Sequence, residues 1–369
     1  MTSTNEAKYG RLDPMLAAIE ALVRCESPTE DIAACQNVVR LASDIATRVL
    51  GTPAQIKEIK GRPVFWWGAS QPEILLLAHL DTVWPHGSYQ PLWDVKGDVI
   101  RGPGVFDMKA GFVQALFALK DIEGAADSVA LVATTDEETG SFYSRELIME
   151  LSAAAKAVLV LEASLDGKVK TGRKGTAMYK VTVHGLAAHA GLEPEKGSNA
   201  TVEIAHVILQ LAALENKEHG TTVVPTLLKS GNSANTVPDL AVLEIDARSF
   251  AQSEIERVDA AIKSLKATVS GARLEVTGGL NRPPLQPSST KALYERVEQV
   301  AKSIGMAPLG CAEVGGASDG NFAAAAGAQV LDGLGAVGGG AHAPNEWLSL
   351  KSIEERSALL HAFIKDLLK

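Results

Sequence analysis

The sequence predicts an α/β protein: a mostly parallel sheet flanked by helices, with a smaller ferredoxin-like α+β domain inserted into it. Short runs that are apolar on both faces alternate with segments of helical periodicity through the first half of the chain. A strand–helix–strand–strand–helix–strand order follows and ends in a proline-rich segment. The length, 369 residues, also exceeds what one hydrophobic core usually fills, at about 150 residues per domain.

In chain order, Ile32, Cys35, Val39, Ala42, Ile45, Ala46 and Val49 recur at helical spacing and predict an amphipathic helix. Ile74–Ala78, Val129–Ala133 and Ala157–Leu161 are apolar on both faces, as parallel strands covered by helices must be. Helical patterns at Phe112–Leu119 and Ser144–Ala154 lie between them. Past Gly172 and Gly175 the spacing predicts a strand at Ala177–His184 and a helix at Asn199–Leu214. Strands at Thr222–Leu228 and Leu240–Arg248, a helix at Ser253–Ala267 and a strand at Arg273–Thr277 complete the unit. Pro283-Pro284-Leu285-Gln286-Pro287 continues neither element type and reads as the return linker. A strand at Ala328–Leu331 and a final helix opened by the capping box Ser352-Ile353-Glu354-Glu355 close the chain. The expected division is residues 1–174 with 283–369 as one domain and 175–282 as the insert.

Composition narrows the function. With 46% hydrophobic and 21% charged residues the chain is not of the disordered class. A net charge of −9 repels a polyanion, so nucleic acid is not an expected partner and a small molecule is. No apolar run approaches the ~18 residues a membrane span needs, and Lys8 and Arg11 with Glu20 nearby make no secretory signal. Three cysteines without a CxxC fit a reducing cytoplasm, and any bound metal must be held by His and carboxylates.

Two familiar motifs can be set aside. Gly333-Leu334-Gly335-Ala336-Val337-Gly338 matches a dinucleotide fingerprint, but Gly339, Gly340 and Pro344 leave no helix to face a pyrophosphate. Gly316-Ala317-Ser318-Asp319-Gly320 matches a nucleophile elbow, with Asp332 and His342 in the right order for a serine hydrolase using Ser318. The preceding Cys311–Gly315 is a poor buried strand, so this stays the lesser alternative.

A third pattern is distributed. Strand Ile74–Ala78 ends in His79-Leu80-Asp81, whose His and Asp share a face; one can ligate a metal while the other orients the imidazole. Val129–Ala133 ends in Thr134-Thr135-Asp136-Glu137-Glu138, and Ala157–Leu161 ends in Glu162. Asp107 precedes a helix, and His342 lies in the glycine-rich loop after the last strand. Open α/β sheets form their crevices at the carboxyl ends of strands. Carboxylates gathered there repel one another unless cations offset them. Two divalent ions would do so, and a His and carboxylate set without Cys suits zinc, with cobalt or manganese also fitting.

Together these residues resemble the two-zinc metallopeptidases that include glutamate carboxypeptidases, aminoacylase, acetylornithine deacetylase and succinyl-diaminopimelate desuccinylase. The likeness is carried by His79-Leu80-Asp81-Thr82-Val83, Gly102-Pro103-Gly104 through Asp107-Met108-Lys109, Asp136-Glu137-Glu138-Thr139-Gly140-Ser141, and Gly316-Ala317-Ser318-Asp319. The stretch Ser141 to Glu162, with His189-Ala190-Gly191, looks most like folate-cleaving glutamate carboxypeptidases. The resemblance implies that Asp107 bridges two zinc ions, with His79 and Glu162 completing one site and Glu138 and His342 the other. It implies Glu137 as general base and Asp81 as a support for His79. His189 would donate to the oxyanion from a partner subunit's lid, which implies a homodimer through the inserted domain. Asn235 and Arg248 would hold the substrate's terminal carboxylate, with Asp246 positioning Arg248. Glu162, where family aminopeptidases tend to carry Asp, leans towards a carboxypeptidase or deacylase. A cis peptide is implied at Asp107–Met108, and Met108 departs from the second acid the family often has there. The expected reaction is cleavage of an amide next to a free C-terminal carboxylate, releasing an amino acid such as glutamate. An N-acyl amino acid deacylase with the same metal site is the alternative.

Overall fold

Ile74–His79, Val129–Thr134 and Ala157–Val160 are buried at every position. Leu76 and Ala78 join the main core, while their neighbours Leu75 and Leu77 are equally buried but lie outside it, so both faces of the sheet are covered. The computed structural model describes residues 12–369; Lys8 and Arg11, weighed above as a targeting signal, lie outside the described residues. Among those described, no helix is long and apolar enough to cross a membrane. The chain divides into two compact units. One takes in the chain up to Gly172 with Gln286–Val314 and Ser318–Lys369, and the other comprises Arg173–Leu285 with Gly315–Ala317.

The first unit carries a six-stranded sheet in the order Gln55–Ile59, Arg62–Gly68, Val129–Thr134, Ile74–His79, Ala157–Val160, Val330–Leu331. Ile74–His79 is parallel to both neighbours, and Val330–Leu331 is parallel to Ala157–Val160. Thr134 lies opposite His79, and Val160 lies opposite Leu77, so two strands finish level and the third ends two residues earlier, one step short of Leu161-Glu162. The edge pair Gln55–Ile59 and Arg62–Gly68 is antiparallel and is absent from the sequence reading. Its two-residue turn puts Lys60 and Gly61 at φ 51° and 85°, a primed hairpin turn made without the usual Asn-Gly.

Ile32–Leu50 is capped by Asp31, whose side chain accepts from Ala34 N, and stops at Gly51 in the left-handed region. Ala110–Leu119 is buried all round and packs against Leu12–Arg24, Ile32–Leu50 and Ser352–Leu367. Arg145–Ala154 and Asp319–Ala325 pack together elsewhere on the sheet. The last helix, Ser352–Leu367, is not opened by a capping box as expected: Lys351 holds the cap position, and Ser352 Oγ donates back to Ser349 O at 2.8 Å. The expected strand at Ala328–Leu331 is reduced to Val330–Leu331.

The second unit is a four-stranded antiparallel sheet in the order Thr222–Ser230, Leu240–Ser249, Gly175–His184, Arg273–Arg282. With the helices Ala200–Ala212 and Gln252–Lys263 it has the βαββαβ order of a ferredoxin-like unit. Alternation along Leu240–Ser249 buries Ala241, Leu243, Ile245 and Ala247. The last strand runs five residues beyond the expected Thr277, through Gly278 and Gly279, which hide it from a propensity reading. The helix ends at Lys263 rather than Ala267. Entry and exit of the segment run side by side, with Arg173 and Leu285 exchanging backbone hydrogen bonds of 3.0 and 3.1 Å.

Candidate metal centre

Because the parallel strands end within two residues of one another, the residues at and just past their ends gather. His79 is the last residue of its strand, Glu138 lies in the short helical turn Glu137–Thr139, and Glu162 comes two residues after Val160. Asp107 stands in the turn Val105–Lys109 with non-helical φ −116° and ψ 91°, followed by a cis Asp107–Met108 peptide.

Among the described residues, two groups place donor atoms within 4.8 Å of one another: His79 with Asp107 and Glu162, and His342 with Asp107 and Glu138. His79 Nε2 lies 3.3 Å from Asp107 Oδ1 and 3.6 Å from Glu162 Oε1. His342 Nε2 lies 3.5 Å from Asp107 Oδ2 and 3.0 Å from Glu138 Oε2. Asp107 thus turns one oxygen to each group. Asp81 stands behind: its backbone O is 3.1 Å and its Oδ1 3.4 Å from His79 Nδ1. With a proton at Nδ1 facing Asp81, Nε2 presents a lone pair to two carboxylates. Asp81 Oδ2 accepts from Glu138 N at 3.2 Å and from Thr29 Oγ1 at 2.8 Å, tying the two groups together.

Acceptors aimed at one another need a cation or a proton. Burial works against charging His79, but its hydrogen-bonded neighbours Asp107, Asp81 and Glu162 outweigh this and raise its pKa well above the ordinary value. Asp107 and Glu138 together lift His342 to about 11. Burial pushes Glu138 up to about 7. Burial also opposes ionisation of Asp107, yet the two imidazoles hold it far below the usual carboxylate range. Bound protons here do what divalent ions would do better, and the nitrogen and oxygen donors, without Cys, fit zinc.

The glycine run explains itself once folded. A Cβ on Gly335 would lie 2.1 Å from Leu161 O, and one on Gly111 equally close, so both glycines admit the strand end that carries Glu162. Gly335 N donates to Glu162 O at 2.9 Å, and buried Arg356 holds the Gly333 and Gly335 carbonyls. His342 itself adopts φ 60°, a region where His is enriched among non-glycine residues. A nucleotide fingerprint is not what this loop is. Ser318 is likewise no nucleophile elbow: it is fully buried, and its Oγ donates to Asp332 Oδ2 at 2.6 Å. It caps Asp319–Ala325 in a capping box with Asn321. His342, the base that elbow requires, faces Asp107 and Glu138 instead.

Glu137 is largely buried beside Glu138 and belongs to neither donor group. His189, Asn235 and Arg248 stand in the second unit. His189 pairs with Thr236, and Ala190 N donates to Asn235 O, which brings His189 and Asn235 side by side. His189 Nδ1 accepts from Gly191 N and Leu192 N, both at 3.1 Å, leaving the ring proton on Nε2. Arg248 gives its fork to Asp246 at 2.8 and 2.9 Å and its Nη1 to Gly315 O at 3.2 Å.

Three residues near the centre escaped the sequence reading. Glu346 binds the backbone of the Asp107 turn. Thr29 holds Asp81. Lys109, fully buried and pushed down to about 8 by burial, donates to Leu22 O at 2.9 Å and Cys25 O at 3.0 Å. Only Lys109 had a local signal, a cation following Asp107-Met108 ahead of an apolar helix.

A parallel-sheet α/β unit with two donor groups sharing one carboxylate is the architecture of a metal-dependent hydrolase. The chain belongs to peptidase family M20/M25/M40, whose model matches residues 75–366, and is an amidohydrolase acting on C–N bonds. It is 32% identical over 383 residues to carboxypeptidase G2 of Pseudomonas sp. (strain RS-16), covering 96% of this chain and 89% of that one. It is 27% identical over 381 residues to succinyl-diaminopimelate desuccinylase of Halorhodospira halophila, covering 94% and 96%. In fold it is similar to an M20 family metallo-carboxypeptidase from Sulfolobus solfataricus, with a TM-score of 0.77 at 19% identity over 95% of this chain and 98% of that one.

Proposed function

We propose that the chain is a two-zinc carboxypeptidase that cleaves an amide next to a free C-terminal carboxylate and releases an amino acid, with glutamate the leading candidate. The observation that carries the reading is Asp107, whose two oxygens face separate His and carboxylate groups. His79, Asp107 and Glu162 would hold one ion, and Asp107, Glu138 and His342 the other. Ions held there would supply Lewis acidity for the scissile carbonyl and for the attacking water. Glu137 takes the proton from that water and passes it to the leaving amine. Asp81 keeps the His79 proton on Nδ1. His189, with its proton on Nε2, is chemically suited to donate to the oxyanion. Arg248 and Asn235 serve the terminal carboxylate, for which a guanidinium fork is the matching group, and Arg248 then exchanges part of its pairing with Asp246.

The preference for a C-terminal residue draws support from the 32% identity to carboxypeptidase G2. The desuccinylase likeness favours a second reading, an N-acyl amino acid deacylase using the same centre. Assembly as a homodimer through the second unit is supported by the edge strand Thr222–Ser230, which exposes Val224, Leu227 and Leu228. The free cysteines Cys25, Cys35 and Cys311 support a reducing compartment, the cytoplasm.

The test is metal content per chain together with hydrolysis of a panel that varies first the C-terminal residue and then the acyl group. Glu137→Gln should retain its metal and lose about 10²–10⁴-fold in kcat. Retained activity in that variant overturns the assignment of the base, and cleavage of acyl amino acids alone favours the deacylase.

A further inference from the structure

Glu346 is a buried carboxyl group that the reaction does not use. The residue is 1% exposed, and each of its carboxyl oxygens accepts two hydrogen bonds. Oε1 accepts from Phe106 N at 2.9 Å and Asp107 N at 3.1 Å. Oε2 accepts from Gly104 N at 3.0 Å and Trp84 Nε1 at 3.2 Å. Four converging N–H donors call for an ionised carboxylate, because a protonated acid or an amide would turn a hydrogen towards them. Burying such a charge is unfavourable without compensation, so these four bonds hold something in place.

What they hold is set by chain order. Trp84 follows the strand end that carries His79 and Asp81, and Gly104 to Asp107 is the turn that presents the shared carboxylate. Glu346 lies four residues after His342, and Tyr89 Oη seats its backbone O at 3.1 Å. One carboxylate therefore joins three segments that each bear a candidate ligand.

We infer that Glu346 is a positioning residue that fixes the backbone of Asp107 so that its two oxygens address both donor groups. The inference rests on the two-metal reading. Since Asp107 is common to both groups, losing the clamp weakens both ions together, whereas losing His342 weakens one.

The experiment compares wild type, Glu346→Gln and His342→Ala as full-length chains. Zinc affinity is measured by chelator competition, the absorption spectrum of the cobalt-loaded protein is recorded, and unfolding of the metal-free forms is followed. Gln keeps the size but presents an amide NH₂ to two of the four donors. The expected result is a loss of about 10–100-fold in affinity for both ions with a shifted cobalt spectrum, against one weakened ion in His342→Ala. Should Glu346→Gln fail to fold, Trp84→Phe decides: it removes one donor and should weaken both ions by roughly three- to ten-fold. Affinity within two-fold of wild type, or weakening of a single ion, overturns the clamp. Wild-type protein that binds fewer than two ions overturns the two-metal reading and the clamp with it.

Discussion

One buried carboxylate of the second unit and three of the first are surrounded differently. In the second unit Glu203 is fully buried, and its Oε2 accepts from Thr268 N at 2.9 Å and Val269 N at 2.6 Å. That carboxylate is spent on architecture: it closes the backbone beyond Gln252–Lys263 beside a core of Val181, Leu243, Ile245 and Ile255. In the first unit Asp107 faces Glu162 and His79 on one side and Glu138 and His342 on the other, each group within 4.8 Å. Buried charge answered by backbone N–H is stable as it stands. Buried charge answered by more acceptors is stable only with an added cation, and that difference separates a structural carboxylate from a candidate ligand.

The comparison breaks first at Asp107. Asp107→Asn should lose both ions and about 10³-fold or more in kcat, read by metal analysis and steady-state rates; two ions retained would undo the shared-ligand reading. Leu243→Ala should do the opposite, costing about 2–5 kcal/mol in denaturant unfolding with metal content per folded chain unchanged. Gly335→Ala joins the two effects, since its methyl group meets the Leu161 carbonyl one residue before Glu162. It should cost about 1–3 kcal/mol and weaken metal binding, measured on the same samples.

The pH dependence sharpens the contrast more gently. Folded Glu138 and His342 hold protons to higher pH than they would unfolded, Glu138 to about 7 and His342 to about 11. Stability that depends on those protons is present at low pH and is lost as pH rises, from about 4.5 for Glu138 and about 6.5 for His342. Metal-free protein should therefore melt at progressively lower temperature from pH 6 to pH 9, and metal-loaded protein should show a flatter profile. A metal-free melting temperature that climbs over this window would contradict the assignment. The smallest effect belongs to Ser318→Ala, a lost helix cap worth about 0.5–2 kcal/mol with turnover largely kept.

Legibility followed the range of the forces involved. Ile74–His79 and Val129–Thr134 could be read because two-sided burial leaves an uninterrupted apolar run. His79, Asp107, Glu138, Glu162 and His342 could be singled out because strand ends are where α/β crevices form. Their sorting into two groups came from family resemblance, since spacing along a chain says nothing about which oxygen faces which ring. The Lys60-Gly61 hairpin leaves no sequence signal because its primed turn lacks the usual Asn, and Ser352 to Glu355 imitates a capping box because a four-residue pattern is common by chance. Glu346 left no trace: a single acid after Pro344-Asn345 looks like any solvated loop residue until four distant N–H groups close on it.

By itself the order of amino acids determined the alternation of elements and the residue types available for chemistry, because periodicity and turn composition act over a few neighbours. Tertiary structure alone decided that one aspartate addresses two groups, that glycines at 111 and 335 make room for a strand end, and that a serine resembling a nucleophile is a helix cap. Those outcomes depend on where neighbouring strands finish across a sheet and on loops from distant parts of the chain meeting within hydrogen-bond reach. Packing sets such distances, and no local pattern encodes them.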